Sequence, residues 1–216
     1  MGWAAPRVIE GLTLEITPAH VERRTFDPKA PPAEMPALRP PEVGQCVYRF
    51  SCDMETRVTR TASAKPPTRA VVHGVKIVTR LEVVLWTPRG GDAAIGEHEE
   101  AHREICEYYY GHARAIAADI GRRMVGQSIP LRATGPEDVR EAVRRFQQSF
   151  ISEYMRQTMD RCTVAQEHFD RITDHSRRRV AIDAAIVQAI AAESEARAPK
   201  PGQPVRAAPR RPSMVN

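Results

Sequence analysis

The sequence predicts an α+β domain in which a small antiparallel β-sheet, over about residues 45–87, packs on a helical layer. Three observations carry this. Residues 45–87 place β-branched and aromatic side chains at a period of two. From Asp92 onward apolar side chains recur at three- and four-residue steps, the period of a helix with one buried stripe. Pro88-Arg89-Gly90-Gly91 separates the two regions. With 216 residues, 42% of them hydrophobic, the chain can build one core of ordinary size.

Residues 1–42 read as an N-terminal arm. Leu12, Leu14 and Ile16 alternate ahead of Pro18, a short strand. The segment 28–41, PKAPPAEMPALRPP, holds six prolines. Proline fixes φ and removes an amide donor, so an extended linker is expected, separating the arm from a body over 43–197. Met35, Leu38 and Pro40-Pro41 could lie across that body in a polyproline-like conformation.

Within the body, Cys46, Tyr48, Phe50 and Cys52 share one parity of a strand. After Pro66-Pro67, Val71, Val75, Ile77, Leu81, Val83 and Leu85 do the same, in either one long strand or two with a kink near His73-Gly74. One helix is expected from Asp92 to about Val125 and a second from Thr134 or Gly135, with Pro136 in its first turn, past Cys162 toward Phe169. An Ala-rich third covers about 180–196. Residues 198–216, with five prolines and four Lys or Arg, have the composition of a disordered basic tail.

The net charge of +5 and pI near 9.3 come largely from Arg177-Arg178-Arg179 and the tail. No interleaving of aromatic and basic residues accompanies them, so no specific nucleic-acid partner is expected. No run of eighteen apolar residues could cross a membrane, and the first residues lack the apolar stretch of a secretory signal. Cys46, Cys52, Cys106 and Cys162 have no CxxC spacing, which argues against a four-cysteine zinc site or a redox motif. Cys106 and Cys162 fall on two expected helices and could staple them; disulfides and buried thiols both remain open.

The chemistry-bearing motif is His98-Glu99-Glu100-Ala101-His102, an H-E-x-x-H at the upstream end of the first helix. Residues four apart stack on one helix face, so His98 and His102 can share one tetrahedral Zn²⁺. Glu99 then projects beside the metal as a general base. A catalytic zinc needs a third protein ligand. Ile105 and Tyr108 stand where a metzincin extension would place Gly and His, which excludes that family, and His112 lies on another face of the helix. Candidates for the third ligand are Glu137, Glu141, Glu153, Glu167 and the cluster His168, Asp170, Asp174, His175.

A β segment ending at Leu85-Trp86-Thr87-Pro88, then Glu97–His102, a long helix and Phe169-Asp170-Arg171-Ile172-Thr173-Asp174-His175 together resemble the DUF922 family of predicted secreted bacterial zinc-dependent proteases. The resemblance spans roughly residues 43–176, and Ser176 stands where that motif carries glycine. It implies a zincin-like fold, His175 as third ligand with Asp170 as its support or alternative, and a secreted or periplasmic location. Zinc-dependent endopeptidase action on a protein or peptide substrate is thus the expected function. Tyr108, Tyr109, Tyr110, Arg103 and Tyr154 are candidate oxyanion donors. The alternative is a non-catalytic metal-binding or interaction protein on a degenerate scaffold of this kind.

Overall fold

The computed structural model describes residues 10–61, 68–131 and 135–197. The tail 198–216 and the Pro66-Pro67 pair lie outside the described residues.

The chain is mixed α and β: β1 (Leu12–Ile16), β2 (His20–Phe26), β3 (Gln45–Thr61), β4 (Arg69–Pro88), α1 (Ala93–Gly111), α2 (Ala113–Met124), β5 (Ser128–Pro130), α3 (Pro136–Gln157), α4 (Met159–Thr173) and α5 (Ile182–Arg197). β4 is the spine of the sheet. Along one edge it pairs antiparallel with β3, from Gln45 opposite Trp86 to Thr61 opposite Arg69. Along the other edge lie β5, β1 and β2, the first antiparallel and the other two parallel. The purely antiparallel sheet expected from the sequence is therefore corrected to one with parallel strands. The reason lies in residues 12–26, which supply β1 and β2 to the sheet instead of forming an arm apart from the body.

A bulge reverses the parity of β4. Arg57 faces Gly74 and Val58 faces Val72, so His73 is an extra residue without a partner on β3. Beyond it Val75, Ile77, Leu81, Val83 and Leu85 face the helices; before it Ala70 and Val72 do, and Val71 turns away half-buried. On the helical face these residues meet Ile105, Cys106, Tyr109, Ile120, Met124 and Phe169 in the main core. Gly121 lets α2 approach β1 closely, since a Cβ there would lie 2.3 Å from Leu12 Cδ1. The opposite face is mostly polar, with Arg80 paired to Asp53 and Lys76 to Glu15. At one end of that face Phe26, Trp86 and Met35 form a small second core, packed by Leu38 from the proline-rich segment.

The long helices expected from the sequence are each divided. His112 separates α1 from α2, and Thr158, at φ −118° and ψ −80°, separates α3 from α4. The second break frees α4 to run antiparallel against α1 while α3 packs on β3. Cys106 meets Cys162, His102 meets Gln166 and His98 meets Asp170, successive rungs one helical turn apart. All four cysteines are free thiols, the Cys162 and Cys106 sulfurs 3.7 Å apart. No described helix is long and apolar enough to cross a membrane.

Candidate metal centre

Asp92 opens α1 by accepting the Ala94 amide at 3.0 Å, and the two turns that follow carry the H-E-x-x-H residues. His98, Glu99 and His102 are all buried. Phe169 from α4 underlies both imidazoles, with ring centroids 5.0 Å from His98 and 5.1 Å from His102, which limits their rotation. From β2, Arg23 pairs with Glu100, between the two histidines in sequence, tying the N-terminal strand to this helix.

Three atoms converge. His98 Nε2 and His102 Nε2 are 3.1 Å apart, and Asp170 Oδ1 lies 3.2 Å from the first and 3.1 Å from the second. Ligands about 2.0–2.1 Å from a tetrahedral zinc sit roughly 3.3–3.4 Å from each other, so the triangle is nearly the size the ion requires. This buried His98-His102-Asp170 group could hold a metal ion. Gln166 fixes the orientation of His102: its amide donates to the His102 carbonyl at 2.9 Å, and its Oε1 faces His102 Nδ1. Nδ1 must therefore carry the hydrogen, which in the neutral ring leaves the Nε2 lone pair directed at the centre of the triangle.

The charges follow from this packing. Burial disfavours charge on His102, but the hydrogen bond and charge of Asp170, with Glu99 acting in the same sense, raise it to about 9. Burial alone would raise Asp170; the two histidines hold it well below the usual carboxylate range. His98 is lowered, chiefly by burial. Glu99 is pushed up to about 7 by burial, against the opposing charge of His102.

Sequence and structure differ on the third position. Asp170 Oδ1 completes the triangle with the two histidines, and His175 Nδ1 stands 3.6 Å from Asp170 Oδ1, outside the group of three. α4 ends at Thr173, and Asp174, His175 and Ser176 follow with φ of 49°, 50° and 67°. This left-handed run turns the chain sharply, bringing His175 and Ser176 to line the cleft. The remaining candidates, Glu167 and Asp174 included, lie outside the group of three: Glu153 pairs with Arg123, Glu137 with Arg140, Glu141 with Arg145, and His168 contacts Arg171. Among the possible oxyanion donors, Tyr109 binds Glu193, Tyr110 donates to Thr17 and Thr79 carbonyls, and Tyr154 is fully buried in the core.

The cleft, open to solvent, spans about 590 Å³ between α1, α4 and the start of β3, with Glu42, Gly44, Gln45, Cys46 and Tyr48 on its far wall. Gly44 makes room for the Glu99 carboxylate, since a Cβ there would lie 2.7 Å from Glu99 Oε1. His98 Nδ1 and Gln45 Oε1, both from residues lining the cleft, are buried without hydrogen-bond partners. Gln45, Gly44 and Gln166 were not singled out from the sequence, and only the position of Gln166 one turn before Asp170 could have suggested it.

The chain matches no family model, no curated protein and no solved structure.

Proposed function

We propose that this protein is a zinc-dependent metallopeptidase of zincin-like architecture. The observation that carries the reading is the convergence of His98 Nε2, His102 Nε2 and Asp170 Oδ1 within 3.2 Å, in one cleft with the buried Glu99. Two imidazoles and a carboxylate are a donor set that catalytic zinc accepts, with its fourth position open. A zinc ion bound there would supply a Lewis acid that acidifies water and polarises a carbonyl.

The chain's own residues would do the rest. His98 and His102 bind through Nε2, and Gln166 and Phe169 hold the His102 ring in the required tautomer and plane. Glu99, kept in a dry recess beside Gly44, takes a proton from the attacking water and returns it to the departing amine. The edge of β3 away from β4 has no strand partner among the described residues, and its first residues line the cleft. An extended peptide laid along it would run past Glu99. The DUF922 resemblance supports the same reading and carries with it a secreted or periplasmic location; the left-handed φ of Ser176 fits a position where that motif uses glycine.

The test is elemental analysis with peptide cleavage. The protein should hold one equivalent of zinc, and Glu99→Gln should retain it while losing hydrolysis by about 10²-fold or more, since only proton transfer is removed. Unchanged cleavage in that variant sinks the mechanism. Zinc uptake with no hydrolysis of a broad peptide pool would favour the non-catalytic metal-binding reading.

A further inference from the structure

The metal cleft shares Glu42 and Val43 with a second, larger groove that spans about 1050 Å³ with its open mouth and is lined by Phe26, Pro32, Met35, Leu38 and Ile95. Its wall is the proline-rich segment, folded back so that Met35 packs beside Trp86. Among the described residues Glu42 is the only charged one lining it, and its carboxylate is engaged by the Arg39 amide at 2.9 Å, closing the turn that carries Val43. Ile95 stands one turn before Glu99 on α1, so the floor of this space is continuous with the helix bearing the metal ligands.

We infer that this groove is the specificity subsite of the cleft and accepts an aliphatic or aromatic side chain of the peptide that passes the metal centre. The inference rests on the metallopeptidase reading. Prolines 28, 31, 32 and 36 line the groove and offer no amide hydrogens, so the wall cannot pair with a peptide backbone as a strand edge would. What enters is a side chain. A charged one would lose its hydration against a lining whose side chains are apolar apart from Glu42, whereas an apolar one gains by leaving water. The wall shared with the cleft selects the occupant: a residue held along β3 and past Glu99 meets the groove across Val43, which is 46% exposed and free to contact it.

The experiment uses the zinc-loaded protein with acetohydroxamate and its isocaproyl, hydrocinnamoyl and succinyl counterparts, which share the metal-binding head and differ in the attached chain. The isocaproyl and hydrocinnamoyl compounds should bind about tenfold or more tighter than acetohydroxamate and the succinyl compound should not, with Val43→Asp erasing the difference. Zinc uptake with all four compounds bound within about twofold of one another overturns the subsite and leaves the metallopeptidase reading standing. A second arm uses metal-stripped protein and follows the methyl resonances of Val43, Ile95 and Met35 with N-acetyl-leucinamide and N-acetyl-aspartamide. If the protein takes up no zinc yet only the leucine probe shifts these methyls, the apolar side-chain site stands and the metallopeptidase reading falls. If neither probe shifts them, or if the methyls are buried instead by concentration-dependent self-association, the inference is overturned.

Discussion

Two buried polar clusters lean on α1, and their hydrogen bonding differs at almost every atom. Glu193, only 1% exposed, accepts from Tyr109 Oη at 3.1 Å and from Arg161 at 2.9 and 2.7 Å, with the Arg161 guanidinium lying over the Tyr109 ring. Both of its oxygens have donors. Burial would raise its carboxyl, but Arg161 more than offsets this. The His98-His102-Asp170 group instead turns two ring nitrogens and a carboxylate oxygen toward one point and leaves His98 Nδ1 unpartnered. A closed network ties α1, α4 and α5 together. The convergent cluster could hold either a metal ion or, in its absence, the proton that keeps His102 paired with Asp170.

The sharpest way to break this contrast is to remove one carboxylate from each cluster. Asp170→Ala should lower zinc affinity by more than about a hundredfold while keeping the circular dichroism spectrum of the parent. Glu193→Ala should do the reverse, lowering unfolding stability in urea by about 1–2 kcal/mol because the Tyr109 hydroxyl and the partly exposed Arg161 guanidinium lose their acceptor, with zinc stoichiometry intact. If the two variants behaved alike, the distinction between a structural and a functional cluster would be void.

A smaller, graded effect comes from pH. The pKa of His102 is raised from 6.5 to about 9 in the folded, metal-free protein. Stability from that proton is fully present below pH 6.5 and is lost as pH climbs through about 9. Metal requires the proton to leave, so zinc affinity should rise between pH 6.5 and 9, by up to about tenfold per unit. Competition titrations with a chelator of known pH dependence would measure it, and a flat profile would remove His102 from the ligand set. The smallest effect is expected at the turn after α4, where Ser176→Gly should raise stability by about 1 kcal/mol by relieving its left-handed backbone. A loss of stability there would mean the serine hydroxyl offsets the strain.

The H-E-x-x-H half of the site was legible because its geometry is local: four residues make one turn, whatever the rest of the chain does. Asp170 was not selectable over His175, because its place depends on the Thr158 break and on the register of α4 against α1, both set by packing across more than sixty residues. In the sheet, the alternation of Cys46, Tyr48, Phe50 and Cys52 marked the buried face of β3, whereas an extra residue at His73 reversed the parity of β4 and put Val71 on the wrong side. β2 escaped notice because HVERRTF carries little apolar periodicity, and parallel pairing leaves no turn signature to read.

That same polarity has a consequence for synthesis. Leu12 pairs with Val75 and His20 with Glu82, so β1 and β2 emerge from the ribosome roughly sixty residues before their partner strand. At about 5–20 residues per second they wait on the order of 3–12 s with both edges bare. A lone apolar strand would invite association with neighbouring nascent chains over that interval. Glu22, Arg23 and Arg24 make β2 a poor template for such pairing, and in the finished fold Arg23 meets Glu100 while Arg24 covers Trp86.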